Sequence, residues 1–350
     1  MEMSISEIKK MAENLIVAEE KRRKLADFLR QENGKLELIK KSEPANIDKM
    51  KIAGVDGGIV RKALHGFDFI LARATSVCFE YLNGRISNVK YFPSKVTTPK
   101  FFTLEAVSDI DYAYFASIFR QKLEIETAKK AAENFKPDIL LLDGSIVPHY
   151  ATKPSSSSPA YDDYEKLMAG YQDLYKICEE NNVLLAGVVE DSRNERFCNI
   201  IRDHVLPKIP NFPQDLIGIL EKTRDTNLLF WVLQEKERTI TFDYTPDVEK
   251  HQILKSFFNK EFYSFYLKTA KLDKPVRVDF MSKEKEDFLA SVILAISGQN
   301  RNYGFPSVLI EADNVAKMSE QEAENFYSCI LKYTGNMPSA MKLRREQRPF

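Results

Sequence analysis

The sequence has few of the residues from which zinc sites and disulfide frameworks are built. Its four cysteines, Cys78, Cys178, Cys198 and Cys329, are scattered without a CxxC pair, and its four histidines are not clustered. Neither pattern has the spacing of a zinc site or the pairing of a disulfide framework. The cysteines are therefore expected to be small buried apolar residues.

Long apolar runs are also missing. No segment approaches the roughly 18–20 consecutive apolar residues that a membrane-spanning helix needs. The first residues, MEMSISEIKKMAENL, are charged and helix-patterned, which does not fit a signal peptide. We therefore expect a cytoplasmic protein without a membrane segment.

An excess of charge of either sign is absent as well, since 51 lysines and arginines face 51 aspartates and glutamates. A protein that holds nucleic acid by bulk charge alone is usually more basic. A neutral chain can still be a nuclease, because a cluster of catalytic acids offsets local basic patches. The balance predicts that any DNA path is a narrow groove or is shared with a partner.

What the chain does contain is a clear order of helix and strand patterns over 350 residues, enough for a large core with insertions. Apolar positions at helical spacing predict a helix over 4–41 that packs on the core or on a second subunit. Three β-rich runs follow, KIAGVDGGIV, FDFILARATSVCFEYL and RISNVKYFPS. With Asn83-Gly84 as a hairpin turn, they predict a three-stranded antiparallel meander.

Helix and strand then alternate. A long helix is predicted over 103–135, followed by the buried strand PDILLLDGS, a helix over 161–181 and the buried strand NVLLAGVVE. Strand, helix and strand in this order imply a parallel βαβ unit with a right-handed crossover. The whole order is that of the ribonuclease-H-like α/β fold, a mixed sheet flanked by helices in which the first and fourth strands are central neighbours.

The second half of the chain is less regular. Residues 197–222 are predicted to be irregular helix and NLLFWVLQ to be helix, while RTITFDY, FYSFYLKTA and VRVDF are strand-patterned and three helices follow. We therefore divide the chain into an N-terminal helical arm (1–50), a ribonuclease-H-like domain (51–335) with a helical insertion around 195–235, and a basic C-terminal tail (336–350).

Two aspartates end predicted strands. Asp56, in AGVDGG, precedes two glycines that permit a sharp turn or the close approach of a bulky anion. A plain Asp-Gly hairpin turn gives the same pattern. Asp143, in ILLLDGS, ends a buried strand, where a carboxylate is costly unless it lies at an opening or binds a cation. An N-cap or loop acceptor is the alternative there.

Together the two aspartates indicate a functional site more strongly than either does alone. In the predicted topology they end adjacent strands, so their carboxylates converge and repel unless a divalent cation or a shared proton intervenes. Oxygen ligands suit Mg²⁺ or Mn²⁺. Paired cations on such carboxylates carry out in-line displacement at phosphorus. The pair therefore predicts a metal site for phosphoryl chemistry.

Helical spacing supplies two further candidates. Glu124 shares its stripe with small and aromatic residues and is the inward acid, whereas Glu126 lies on a charged face. An ion pair between Glu124 and Arg120, one turn earlier, is the alternative. Asp313, in GFPSVLIEAD, borders the apolar stripe of its helix. Spacing alone does not decide between a ligand and a surface acid at that position.

These segments resemble, in order from about residue 50 to residue 330, the NurA family of DNA-end-processing nucleases. The resemblance is carried by VDGG with Asp56, by Arg120 with Glu124, and by DGS with Asp143. The stretches RDTNLLFWVLQEKERTITF, PVRVDF and GFPSVLIEAD resemble later family segments. No single motif is specific, but their order and spacing together are.

The resemblance implies a deoxyribonuclease that uses two metal ions, Mn²⁺ or Mg²⁺, and acts as a single-strand endonuclease and 5'–3' exonuclease. It implies a homodimer that works on DNA ends in double-strand-break repair with the hexameric ATPase HerA. The catalytic metal ligands that it implies are Asp56, Glu124, Asp143 and Asp313, and the DNA contacts are Ser145 and Arg193.

The chain departs from the family pattern at two positions. Asp313 stands where many relatives have histidine, which keeps a metal ligand but shifts the preference towards hard cations. Glu190 stands where many relatives have lysine, so the charge at that strand end differs, and Arg193 is a candidate substitute.

Three other functions explain parts of the sequence. Another member of the superfamily, such as a resolvase or an RNase H, does not explain the likeness in the second half. A sugar-kinase-like ATP-binding protein would need a later glycine-rich adenosine motif, and none is visible. A non-catalytic subunit that clamps DNA or a motor is disfavoured because all four acids are present.

Overall fold

The structure, a computed structural model, describes residues 5–105, 107–210, 212–257, 259–335 and 337–344. These residues form two compact units. The first unit lies within Met1–Asn46, Val188–Glu249 and Asn259–Pro306, and the second within Ile47–Gly187, Lys250–Phe258 and Ser307–Phe350.

The strands and helices alternate along the chain. The strands are β1 (Ile39–Lys41), β2 (Lys51–Ala63), β3 (Asp68–Leu82), β4 (Arg85–Phe92), β5 (Lys100–Leu104), β6 (Ile139–Asp143), β7 (Leu184–Val189), β8 (Glu237–Thr239), β9 (Phe242–Asp243), β10 (Tyr263–Leu267) and β11 (Val276–Phe280). The α-helices are α1 (Ile5–Gln31), α2 (Asn33–Leu36), α3 (Asp109–Phe135), α4 (Tyr161–Glu180), α5 (Arg196–Ile200), α6 (Gln214–Leu220), α7 (Asp225–Val232), α8 (Glu286–Ser297), α9 (Ser307–Ala316) and α10 (Glu320–Thr334).

The sheet of the second unit has the strand order β7-β6-β2-β3-β4, with β5 also paired to β3. β2 and β3 form a long antiparallel pair, and β3 pairs antiparallel with β4. β6 runs parallel to β2. The meander and the pairing of the first meander strand with β6 confirm the predicted ribonuclease-H-like arrangement.

Glycines on β2 let helices approach both faces of this sheet, since successive side chains of a strand point to opposite faces. A Cβ at Gly57 would lie 2.5 Å from Glu124 Oε1 on α3, and a Cβ at Gly58 would lie 2.0 Å from the carbonyl oxygen of Ala316 on α9. Any larger residue at either position would therefore push a helix away. The two glycines after Asp56 serve packing in this long strand, and the hairpin turn lies further on.

The first unit has the strand order β1-β8-β10-β11, with β9 paired to β10. Its apolar core joins the C-terminal half of α1 to α7, through Leu25, Leu29, Leu228 and Leu229. Every described side chain of α1 from Ile5 to position 17 is exposed. The helix is therefore anchored by its second half only.

The predicted helix over 4–41 is too long, because α1 ends at Gln31 and β1 occupies the last three positions. The side chain of Asn33 explains the change. Its Nδ2 donates to the Ile39 carbonyl at 3.0 Å, and the Ile39 amide donates to its Oδ1 at 2.8 Å. Glu37 adopts a left-handed backbone with φ of 53°. The side-chain amide thus turns the chain from helix into strand.

The predicted helix over 103–135 begins later, at Asp109. The hydroxyl of Ser108 accepts from the Asp111 amide at 3.1 Å and caps the first turn. Residues 100–104, an unpredicted strand, pair with β3. The Ser108 cap sets the start of α3, and Phe101 on β5 packs against the ring of Phe326 on α10, with ring centroids 5.2 Å apart.

The described part of the predicted tail is docked along the surface of the second unit. The His65 amide donates to the Met341 carbonyl, and the Gly66 amide to the Ser339 carbonyl, both at 2.9 Å. The Tyr327 hydroxyl donates to the Ala340 carbonyl at 2.9 Å. The tail arginines Arg345 and Arg348 lie outside the described residues.

None of the described helices has the length and apolar character needed to cross a bilayer.

Two glycine substitutions test the close packing on β2. Gly58→Ala should lower the free energy of unfolding by about 1–3 kcal/mol, because the added methyl overlaps a backbone carbonyl that cannot rotate away. Gly218→Ala should raise it by up to about 1 kcal/mol, because that exposed position of α6 has nothing within 4 Å of the new methyl and alanine favours helix. Urea denaturation measures both. An unchanged Gly58→Ala protein would contradict the close approach of α9.

Candidate metal centre

Asp56 and Asp143 lie side by side because of the register between their strands. β2 pairs with β6 over Ile52 to Val55, with Val55 opposite Leu142, and each aspartate is the next residue. β6 ends at Asp143, whereas β2 continues to Ala63. The two carboxylates therefore stand at a notch, where one strand ends and its neighbour runs on.

The loop after Asp143 is shaped by two glycines. Gly144 has a φ of +105°, which favours glycine, and a Cβ on Gly187 would lie 2.3 Å from the Gly144 carbonyl oxygen. Gly187 was missed in the sequence. A glycine inside a continuous apolar strand such as LLAGVV is the signal that a backbone passes closely.

Glu124 reaches the same place from α3. Its side chain is 14% exposed, whereas that of Glu126 is 57% exposed, so the predicted inward and outward faces of the helix are confirmed. Glu124 lies against Gly57, which directly follows Asp56. The missing side chain at Gly57 is what allows the glutamate to come down onto β2.

Asp313 comes from α9, on the opposite face of the sheet. The predicted apolar stripe of this helix is buried: Val308, Leu309, Ala312 and Ala316. Asp313 borders it and is exposed. Asp313 is nevertheless close enough to raise the pKa of Asp56, so a helix on each face brings one acid towards the notch.

The environment makes two of these acids hard to ionise. Burial raises the pKa of Asp56, and the charge of Asp313 raises it further, while the Gly57 amide and Arg120 act against this. Burial raises the pKa of Glu124 to about 8, opposed by Arg120 and reinforced by Asp56 and Asp143. The charges of neighbouring acids therefore raise the pKa of both Asp56 and Glu124, as expected of carboxylates that lie close together.

Arg120 is the cation among these acids. Its Nη1 lies 2.8 Å from Glu124 Oε1 and donates to the Gly57 carbonyl at 3.3 Å. The charges of Glu124 and Asp56 raise the pKa of the guanidinium. Glu124 therefore forms the ion pair that is the alternative to metal binding, and it also lies near Asp56 and Asp143.

The donor set fits a hard divalent cation, because it consists of carboxylate oxygens alone. Glu124 Oε1 is buried and has no hydrogen-bond partner, since its contact with Arg120 is short but not aligned as a hydrogen bond. Within the described residues, no three His, Cys, Asp or Glu side chains are arranged as a ready metal-binding group. The backbone brings the acids together, and side-chain rotation would complete a coordination sphere.

The two predicted DNA contacts differ in setting. The Ser145 hydroxyl accepts from the Val147 amide at 3.0 Å, within the loop that follows Asp143. Arg193 belongs to the first unit and is exposed. In that unit Glu190 is also exposed, and Lys274 forms an ion pair with the adjacent Asp191. These roles stay predictions.

The pKa of Glu124 predicts a pH-dependent stability in metal-free solution. Between its ordinary value of 4.5 and about 8, the folded protein binds a proton that the unfolded chain has lost. The unfolding free energy should therefore fall as the pH rises through this window, by at most about 1.4 kcal/mol per pH unit, and level off above it. Glu124→Gln should flatten this slope, and Glu126→Gln should not. Urea melts between pH 5 and pH 9, with chelator, measure it; equal slopes in both variants would contradict the burial of Glu124.

Comparisons with known proteins identify a similar fold and a family. The NurA nuclease from Sulfolobus solfataricus is similar in structure, with 16% identity and a TM-score of 0.60, over 95% of this chain and 99% of that one. A NurA bound to dAMP and manganese has 12% identity and a TM-score of 0.51, over 97% and 99% of the two chains. At such identities the likeness shows the fold alone.

Among curated protein sequences, none matches this chain. The NurA domain family matches residues 50–318, well over half of the chain. The chain therefore belongs to the NurA family.

Proposed function

We propose that this protein is a deoxyribonuclease that hydrolyses phosphodiester bonds with Mn²⁺ or Mg²⁺. One observation carries the proposal: Asp143 ends β6 beside Asp56 of the parallel strand β2, and helices on opposite faces bring Glu124 and Asp313 towards the same notch. We assign these four acids as the catalytic metal ligands, for a pair of cations. Solved structures of a NurA with manganese and of a NurA bound to dAMP and manganese support manganese as the cation.

Each acid would have a distinct part in holding the cations. Asp56 is adjacent to Asp143 by register, and Asp313 is close enough to raise its pKa, so Asp56 would hold a cation together with either of these acids. Glu124 is pressed against Gly57, and Arg120 fixes one of its oxygens. Divalent cations bound here would supply an activated water and stabilise the leaving oxygen of an in-line displacement.

The buried setting of these ligands couples cation binding to proton release. Because burial raises the pKa values of Asp56 and Glu124, proton loss is costly without a cation and becomes favourable with one. Asp313 would contribute a carboxylate oxygen where a histidine would contribute a nitrogen, which would strengthen the preference for hard cations. Arg120 would balance the remaining negative charge and orient a phosphate at the opening.

Substitutions on α3 and β6 test the assignment. Asp143→Asn and Glu124→Gln should each lower Mn²⁺-dependent cleavage of single-stranded DNA by more than about 100-fold, because each removes a charged ligand. Glu126→Gln, two residues along the same helix, is the matched control and should cleave normally. Replacing Mn²⁺ with Ca²⁺ should keep DNA binding but suppress turnover, because the coordination of Ca²⁺ is looser.

A gel assay with end-labelled oligonucleotides, with thermal melts of each variant, provides the measurement. Robust wild-type cleavage in excess chelator would rule out the metal mechanism. Binding without any metal-dependent nicking would favour the rival function, a non-catalytic subunit that clamps DNA or a motor. Mild and equal effects of Glu124→Gln and Glu126→Gln would remove Glu124 from the ligand set.

We further propose that the enzyme combines single-strand endonuclease and 5'–3' exonuclease activity, and processes DNA ends in double-strand-break repair with a HerA-type hexameric ATPase. Family membership supports this proposal. Ser145, which follows Asp143 directly, and the exposed Arg193 are the proposed DNA contacts. Oligonucleotides labelled at one end or the other would reveal the polarity, and co-purification with the hexamer would test the partnership.

A homodimer is proposed from the exposed half of α1. Its first four turns carry exposed apolar side chains at helical spacing: Ile5, Ile8, Met11, Leu15 and Ile16. A solvent-facing helix rarely exposes so continuous an apolar stripe unless a partner covers it. Pairing with the same helix of a second copy would bury the stripe and join two neutral subunits around one DNA path.

The double variant Ile8→Glu/Leu15→Glu should be monomeric at micromolar concentration, while the wild-type protein and the control Lys10→Glu are dimeric. Charges in an apolar helix pair remain unsatisfied, whereas a charge change on the polar face is tolerated. Light scattering with size-exclusion chromatography measures the mass. A monomeric wild-type protein would refute the homodimer.

A further inference from the structure

A cavity of about 660 Å³ lies in the second unit, beside the metal centre and apart from its acids. Its walls are α3, β3 and the connection between β4 and β5. Phe92, Pro93 and Leu123 form apolar walls, whereas Thr98 and Lys100 belong to the connecting segment and the start of β5. The volume falls within the range of about 300–1,000 Å³ that is typical of pockets for small organic groups.

The position of the cavity relates it to the proposed reaction. Leu123 lines it and directly precedes Glu124 on α3. Ala74 lines it on β3 and pairs with Gly57, next to Asp56. The cavity is thus about one strand spacing, roughly 4.8 Å, from the strand that bears Asp56. Along α3 it extends as far as Glu133, roughly 15 Å of helix from Leu123.

Two lysines at the cavity hold their partners only loosely. Lys100 Nζ lies 3.9 Å from a Glu126 carboxylate that is 57% exposed, and Lys129 Nζ lies 3.5 Å from an Asp173 carboxylate that is 64% exposed. Ion pairs of this length between solvated groups contribute little. Both ammonium groups can therefore turn to an incoming anion.

Arg73 adds a third cation to the lining. Its Nη1 donates to the Thr97 carbonyl at 3.0 Å, and its Nη2 pairs with Glu322. Its Nε is buried without a hydrogen-bond partner. Thr97 Oγ1 in turn donates to the Ser94 carbonyl at 2.9 Å. The rim is therefore held in place by its own hydrogen bonds before any ligand arrives.

A second cavity of about 230 Å³ is lined by α3 and α4. It shares Lys129 and Glu126 with the first cavity and adds Lys122 and Lys166, which lie 2.9 Å and 3.8 Å from the Asp163 carboxylate. A single small anion would engage one or two of these lysines. Lysines spaced along two adjoining cavities suit a ligand with repeated negative charges, such as the backbone of a nucleic-acid strand.

We propose that the larger cavity is a nucleotide subsite that takes one unpaired base and its phosphate from the DNA strand next to the scissile bond. The base would lie against Phe92 and Leu123, and the phosphate on Lys100 and Lys129. The cavity has room for a base but not for a duplex, so the substrate class is a single-stranded end or flap. This inference rests on the proposed nuclease function.

Two kinds of variant test the subsite. Thr98→Trp, at an exposed rim position, should fill the cavity, and Lys100→Ala/Lys129→Ala should remove its cations. Each should raise the KM for an oligothymidylate of about 12 nucleotides by roughly 10-fold, since stacking and phosphate contacts are lost. The double variant should also reduce the salt dependence of binding, with a slope smaller by about 0.7 per lost phosphate contact. Lys176→Ala, at an exposed position on α4 outside both cavities, is the control.

Two substrates separate the subsite from the metal centre. Hydrolysis of thymidine 5'-p-nitrophenyl phosphate with Mn²⁺ should be unchanged in the cavity variants, because this small diester does not reach the subsite. An unchanged KM for the oligothymidylate in both cavity variants would overturn the proposal. So would a result in which they lose only the binding of free dAMP, because the cavity would then serve a free nucleotide.

The test also holds if the protein is not a nuclease. In that case the wild-type protein would leave the small diester intact, and the proposed function would fail. Fluorescence anisotropy of the labelled oligothymidylate in Ca²⁺ would then report on the cavity alone. Weaker binding by the two cavity variants, but not by Lys176→Ala, would support the subsite, and equal binding by all of them would overturn it.

Discussion

Repulsion among carboxylates at the end of β6 is the constraint on which the organisation of the second unit depends. Asp56 and Asp143 are forced together by parallel register, and two helices add Glu124 and Asp313. Such a cluster opposes folding unless protons, an arginine or cations offset it. Arg120 and the raised pKa values of Asp56 and Glu124 are the compensation visible in the protein itself. The acid cluster thus lowers the stability of the fold locally, at the place where the chemistry is proposed to occur.

The close approach that creates this repulsion is made by residues without side chains. Gly57 admits Glu124, Gly58 admits the end of α9, and Gly187 admits the loop after Asp143. None of these glycines binds anything through a side chain. Their function is to remove volume, so that the segments that carry these acids pack closely together. A site of this kind is as much a matter of backbone packing as of ligand identity.

Much of this arrangement was predictable from local patterns. An uninterrupted apolar run such as ILLLD predicts a strand in the middle of a sheet. A glutamate that shares a helix stripe with alanines is predicted to lie on the inward face of that helix. What escaped prediction depends on particular side-chain contacts. Asn33 ends a helical pattern by bonding to Ile39, and the Ser108 cap shifts the start of α3. Neither contact can be predicted from the periodicity of apolar residues. The cavity beside α3 was equally invisible, because it is formed by segments distant in sequence.

The docked C-terminal segment gives the second unit a mechanical property. Amides at the β2–β3 turn, on His65 and Gly66, hold the carbonyls of Met341 and Ser339, and Tyr327 holds that of Ala340. Tension applied to the chain beyond Arg344 would therefore load the ion pair between Lys342 and Glu324 and then these three bonds. From there it would pass along β2 and β3, whose long antiparallel ladder resists shear through many bonds at once. Asp56 lies within that ladder, so a pull on the tail is borne by the strand that carries the central acid.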